Sequence, residues 1–268
     1  MATGLYGVGM GGTAISAFTT VPLVNSVGNA APFVLTAIAL VLYAVVAWLF
    51  MHNAPTWTPS RKNIVAQSLA VMKLKVTWQA CYLYALSFGG YVAFSVFLPT
   101  MLQNWYGLEA TDASFRMAGF VIVAVIMRPL GGTLSDRLGA ATTLQLSYLA
   151  VAVSAAVLAF QPALMPIGTI VYIVMAAGLG LGSGAVFALV AQTSDPSVVG
   201  SVTGFVGAAG GLGGFVPPLI MAAIHTDSGS YSLGIVLLLL ATLGAIVVTY
   251  FVARGARASA QEPSLASR

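Results

Sequence analysis

Eight runs of roughly twenty residues, each almost free of ionisable side chains, dominate this chain: about 3–22, 30–51, 78–102, 115–135, 142–160, 166–191, 200–224 and 231–253. A helix rising 1.5 Å per residue needs about 20 residues to cross roughly 30 Å of hydrocarbon. The runs therefore have the length of membrane spans. They are continuously apolar, as in 38–50, where a membrane β-barrel would alternate. Between them there is little left to clothe a water-facing surface. Lys and Arg number 10 and Asp and Glu 6 among 268 residues, or 6% charge, and the mean hydropathy is +0.97. Soluble domains carry about 25% charge. A soluble enzyme, a nucleic-acid-binding module and a disordered chain are excluded on that ground. The expected fold class is an all-α membrane protein with eight transmembrane helices, and the lipid bilayer is its first partner.

The basic residues orient the spans. Arg61, Lys62, Lys73 and Lys75 follow the second span, Arg137 follows the fourth, and Arg254, Arg257 and Arg268 follow the eighth. An even number of spans puts all of them on one side, which the positive-inside rule makes cytoplasmic. The opposite connections hold Glu109, Asp112 and Asp227 with Arg116 as their one base. Both termini are thus expected in the cytoplasm and the chain in the cell (inner) membrane. The net charge of +4 follows from this sorting and is no sign of nucleic acid. Trp105 and Tyr106 sit where an outer aromatic belt belongs, and Trp57 and Trp78 suit the inner one. The apolar, glycine-rich start has no basic residue, so it does not read as a signal peptide. Cys81, the one cysteine, reads as a small buried hydrophobe.

One polar connection divides the chain. Residues 53–77 open with Pro55 and Pro59, and then Val65, Leu69, Met72 and Val76 recur at helical spacing. This predicts a helix over about 62–76 lying at the cytoplasmic surface, the alternative being a plain basic linker. The expected organisation is two helices in 1–52, an interdomain connection in 53–77, a six-helix half in 78–254 and a cytoplasmic tail in 255–268. Six spans after such a connection make one half of a two-halved transporter.

Arg128 is the most informative residue, because it lies deep within the fourth span. A cation at a bilayer centre costs about 2.5–3.5 kcal/mol on insertion scales, so it belongs in a polar cavity with an anion. The acids Glu109, Asp112, Asp136, Asp195, Asp227 and Glu262 all fall in loops, at span ends or in the tail. A transported anion is therefore one candidate partner, and snorkelling to the nearby interface is the other reading. Asp136 and Arg137 follow in a tight turn, Gly131-Gly-Thr-Leu-Ser-Asp-Arg-Leu-Gly139, as candidate gating charges. The seventh span is rich in glycine. Gly200/Gly204, Gly207/Gly211 and Gly210/Gly214 are spaced by four, with Gly213 among them and Pro217-Pro218 after them. Such faces permit close helix contact or backbone contact with a ligand. Gly7 and Gly9 belong to a weaker version in the first span. Tyr84, Phe88 and Tyr91 fall on one helical face and suit a planar, weakly hydrated anion. His52 and His225 lie near span ends and read as interface residues. No catalytic constellation, metal cluster or cofactor motif stands out, so neither an enzyme nor a cofactor protein is expected.

Three motifs resemble the nitrate/nitrite porter (NarK-type) family of the major facilitator superfamily. The run from Arg128 to Gly139 is similar to the superfamily's cytoplasmic motif. Gly207–Pro218 resembles the nitrate signature of the eleventh helix. Phe88-Gly-Gly-Tyr-Val-Ala-Phe94, Leu98-Pro99 and Asn104-Trp-Tyr-Gly107 resemble the seventh helix and its following loop. The likeness spans the family's fifth to twelfth helices, a partial superfamily fold lacking the first four. In the family, an arginine from each half holds the anion between aromatic rings. Arg128, Tyr84 and Phe88 match such positions, with Gly207, Gly210, Gly211, Gly213, Gly214, Gly7 and Gly9 along the path. Where the fifth-helix signature has Asn, this chain has Gly7-Val8-Gly9-Met10. The resemblance implies a carrier of nitrate or nitrite working by alternating access, with the missing N-terminal helices or another chain as a required partner. A carrier of another anion, and a transport-incompetent fragment, are the rival readings.

Overall fold

The computed structural model of the chain describes residues 8–52, 64–228 and 231–261, and among them all regular structure is helical. A short 3-10 turn, Val8–Gly11, leads into α1 (Gly12–Val27), followed by α2 (Ala31–Phe50), α3 (Ile64–Met72), α4 (Lys75–Tyr106), α5 (Ala110–Leu138), α6 (Ala140–Ala159), α7 (Thr169–Thr193), α8 (Val199–Ser228) and α9 (Ser232–Gln261). Among the described residues, seven helices are long and apolar enough to cross a membrane, at 20 residues or more each. The remaining span, α1, is helical over 16 residues and lies several residues later than the expected 3–22.

The six helices α4–α9 pack into one bundle. α7 is its hub, contacting α4, α5 and α6, while α8 lies along α4 and α9 along α6. Glycine sets these distances. A Cβ at Gly184 would overlap the Arg128 carbonyl oxygen, and one at Gly180 the Ala124 carbonyl oxygen. These two glycines, four apart on α7, are what allow α5 to lie backbone against backbone. On the α4–α8 seam Gly213 does the same, since its Cβ would meet the Ala85 backbone. Leu98, Met101, Val121, Met175 and Leu179 fill the end of the bundle near Tyr106, and Leu83, Leu144, Tyr148, Val186 and Leu189 the end near Lys75. Phe88 packs against both groups, so it stands where the two cores meet.

α1 packs on α5, and α2 makes its main contact with α1. The connection helix forms at Ile64–Met72, but its buried face differs from the expected one. Val71 is fully buried, whereas Leu69 and Met72 are exposed. The short helix sits against both α4 and α8, and that junction selects Val71. A turn at Lys73–Leu74 then starts α4 at Lys75, three residues before the expected span. Thr77 Oγ1 donates to the Val71 carbonyl (2.7 Å) and Trp78 Nε1 to that of Met72 (2.8 Å), which fixes this corner. Cys81 is buried as a free thiol.

Candidate functional site

Arg128 stands 18 residues into α5, about 27 Å from its Ala110 end and about 15 Å from its Leu138 end at 1.5 Å per residue. Tyr84 stands about 14 Å into α4 from Lys75 by the same measure, so the two side chains share a depth. Arg128 is 2% exposed, Tyr84 3%. The guanidinium does not snorkel. Its Nη2 donates to the Tyr84 hydroxyl at 2.9 Å. Its Cζ lies 5.4 Å from the Phe88 ring centroid, 5.8 Å from that of Phe187 and 5.9 Å from that of Tyr84. All three lie within the distance at which a ring quadrupole attracts a cation.

The rings hold one another. Tyr84 and Phe88 stack with centroids 5.0 Å apart and planes 3° from parallel, while Phe187 meets Tyr84 edge-on at 4.7 Å. One turn apart on α4, Tyr84 and Phe88 can stack only if nothing intrudes from α8, where Gly210 faces them. A Cβ there would lie 2.5 Å from Tyr84 Cε1 and 2.8 Å from Phe88 Cδ1. Gly184 in turn lets the Arg128 backbone into its place. The result is a cationic group walled by aromatic faces and one neutral hydroxyl. Chemically, a guanidinium so placed is a group that can pair with an anion.

The expected site residues divide into those brought together here and those placed elsewhere. Arg128, Tyr84 and Phe88 form the centre. Gly210, Gly213 and Gly214 support it by packing on α4, Gly214 against Val92. A Cβ at Gly207 or Gly211, like one at Gly200 or Gly204, would meet open space, so the span's glycines are divided between a packed face and an adjoining open one. Gly9 lies in the exposed 3-10 turn with nothing near its Cα, and Gly7 lies outside the described residues. Asp136 and Arg137 are exposed at the end of α5, which closes on Gly139 at φ +86°. The ion pair found among the described residues is a different one, Arg116 to Asp112 at 3.1 Å near the other end of α5. Among the described residues no group of His, Cys, Asp or Glu is arranged to hold a metal. Phe187 and the α7 glycines escaped the sequence reading. Gly178-Leu-Gly-Leu-Gly-Ser-Gly184 was their visible signal, with Phe187 one helical turn further on.

Residues 1–218 match the profile of the Major Facilitator Superfamily. The "Probable nitrate/nitrite transporter NarK2" of Mycobacterium tuberculosis is 42% identical over 253 residues, covering 94% of this chain and 64% of the relative. The "Nitrite extrusion protein" of Bacillus subtilis is 32% identical over 91% of this chain and 61% of its own length. The "Probable nitrate transporter NarT" of Staphylococcus carnosus is 33% identical, over 97% and 66%. The chain thus spans less than two thirds of the length of the first of these relatives. In fold it is similar to a bacterial homolog of the human lysosomal transporter Spinster, with a TM-score of 0.59 at 17% identity over 95% of this chain and 68% of that one. With that profile matched over most of its length, the chain belongs to the Major Facilitator Superfamily.

Proposed function

We propose that the chain carries the anion-binding half of a nitrate/nitrite transporter, with nitrate or nitrite bound at Arg128. The single observation that carries this reading is the Arg128 cage: a guanidinium at mid-depth in the bundle, 2% exposed, with three rings within 6 Å of it. A membrane protein bears the cost of such a cation where its charge has work to do. Nitrate and nitrite are planar and weakly hydrated, and they fit between ring faces. The names of the relatives point to the same ions.

In this reading the carrier works by alternating access. The six helices of 78–254 act as one rigid half, α1 and α2 belong to the other, and further helices, in this polypeptide or another chain, close the cavity over Arg128. The Asp136–Arg137 corner latches the cytoplasmic end when that end is shut, and the open stripe Gly200, Gly204, Gly207 and Gly211 gives the opposing half a smooth surface to move on. The Lys- and Arg-rich end faces the cytoplasm, both termini lie there, and the protein resides in the inner membrane. Exchange of the two anions suits a site built from an arginine and aromatic rings.

The test is counterflow. Vesicles loaded with nitrite and carrying the protein take up labelled nitrate, and Arg128→Lys loses at least about tenfold of that rate, as expected when a planar, bidentate group becomes a point charge. Undiminished exchange in the variant overturns the site. Competition by external nitrite but not by phosphate or citrate fits the planar cage, and the reverse order favours a carrier of another anion.

A further inference from the structure

The Arg128 cage does not end at Phe88. One turn further along α4, the Tyr91 ring lies 6.1 Å from that of Phe88, and its hydroxyl meets Thr13 Oγ1 of α1 at 2.9 Å. Tyr91 is 2% exposed. It stands about 10 Å beyond Tyr84 toward the Tyr106 end of α4, at 1.5 Å per residue. This hydrogen bond joins residues 78 apart, one on the N-terminal helix and one on the helix that builds the site.

The surrounding contacts of α1 are with α5. Next to Thr13, which is itself exposed, Ala14 and Ala17 are buried, at 5% and 7% exposure, and Phe18 meets Phe115 of α5 with centroids 5.5 Å apart. Phe115 lies five residues into α5, on the Ala110 side of Arg128. Hydroxyl pair, two alanines and ring pair therefore run in order along α1, away from the anion site and toward the Tyr106 end. Alanines give a smooth surface that parts without unlocking interdigitated side chains. A hydrogen bond between neutral hydroxyls is modest in net strength and can be made and broken reversibly.

We propose that the Thr13–Tyr91 hydrogen bond is a gate between α1 and the site helix, closing the route to Arg128 from the Tyr106 end. Tyr91 is a positioning residue: through Phe88 it senses whether the Tyr84–Phe88 stack is in place, so the gate and the anion site report to each other. The gate rests on the reading of Arg128 as the anion site, but the experiment below needs no transported ion, so its failure would leave that reading standing.

The full chain carries Cys81→Ser, to remove the native thiol, and Ala17→Cys as reporter. A membrane-impermeant maleimide is added on the Tyr106 side. Tyr91→Phe and Thr13→Val each keep the shape and remove one hydroxyl. Each raises the initial labelling rate at position 17 about fivefold, the factor of one bond of ordinary net strength, and the double variant raises it no further. Thr13→Ser keeps the hydroxyl and labels at the parent rate. Unchanged rates in both single variants, factors that multiply in the double variant, or a raised rate in Thr13→Ser overturn the gate.

Discussion

Helices α2 and α7 are nearly alike in apolar character and opposite in what they do. The mean hydropathy of their best windows is 2.6 and 2.1. α2 buries no residue at all. α7 buries Tyr172, Met175, Leu179, Ser183, Val186 and Leu189, among others, and touches four neighbours. Hydropathy decides whether a segment enters the membrane, but in lipid it offers no preference for protein over hydrocarbon. α7 gains its neighbours by backbone approach. α2 contains no glycine, while α7 has Gly178, Gly180, Gly182 and Gly184 in a row. Close packing in this fold is written in small residues, and it is this packing that holds Arg128 in position.

That contrast can be broken by moving bulk. Gly184→Leu should have the largest effect, since even its Cβ collides with the Arg128 carbonyl. Overpacking costs about 1–3 kcal/mol or more, so folded, monodisperse protein in detergent should largely be lost. Ala39→Leu on the exposed α2 should leave thermal unfolding unchanged, and an equal loss in both would remove the distinction.

A sharper form of the test lies within α8, where one helix presents both kinds of glycine. Gly210→Ala pushes on Tyr84 and Phe88 and should weaken anion binding by about tenfold, at roughly 1–2 kcal/mol for a displaced side chain. Gly207→Ala meets open space, and binding of the anion by the isolated chain should stay within about twofold of the parent. Isothermal titration with nitrate measures both. Phe187→Leu comes next: it removes one ring at 5.8 Å from the guanidinium, and a cation–π contact of about 0.5–2 kcal/mol sets the change in Kd at about two- to thirtyfold.

The connections should matter least. In the turn after α7, hydrogen bonds from the Ser197 hydroxyl and its backbone N–H hold the Asp195 carboxyl below its ordinary value. Its contribution to stability is therefore present above the unfolded value of about 3.9 and lost as pH falls through the lower folded one. Asp195→Asn should melt slightly below the parent at pH 7, the gap narrowing as pH falls below about 3.9, with nitrate binding unaltered.

Much of this was legible in the sequence. Seven of the eight expected spans, the buried arginine and the Tyr84–Phe88 face follow from length, charge and helical spacing, which act locally. The partners of those features do not. Phe187 is one phenylalanine in an apolar helix, and only the crossing of α7 over α5 and α4 brings it to the guanidinium. On the short helix Ile64–Met72 the apolar spacing favoured Leu69 and Met72, yet Val71 is the residue that α4 and α8 cover. In a chain so rich in apolar side chains, periodicity marks faces poorly, because lipid-facing and core-facing residues are the same types. The double face of the α8 glycines was hidden for a related reason: spacing by four shows that residues align, but not what they face.

The most direct measurement is nitrate binding to the purified full chain by isothermal titration, comparing the parent with Arg128→Lys and with Arg128→Met. Saturable binding is expected in the parent, weakened at least about tenfold by lysine and abolished by methionine, while both variants remain folded. Equal affinity in the parent and in Arg128→Met would contradict this.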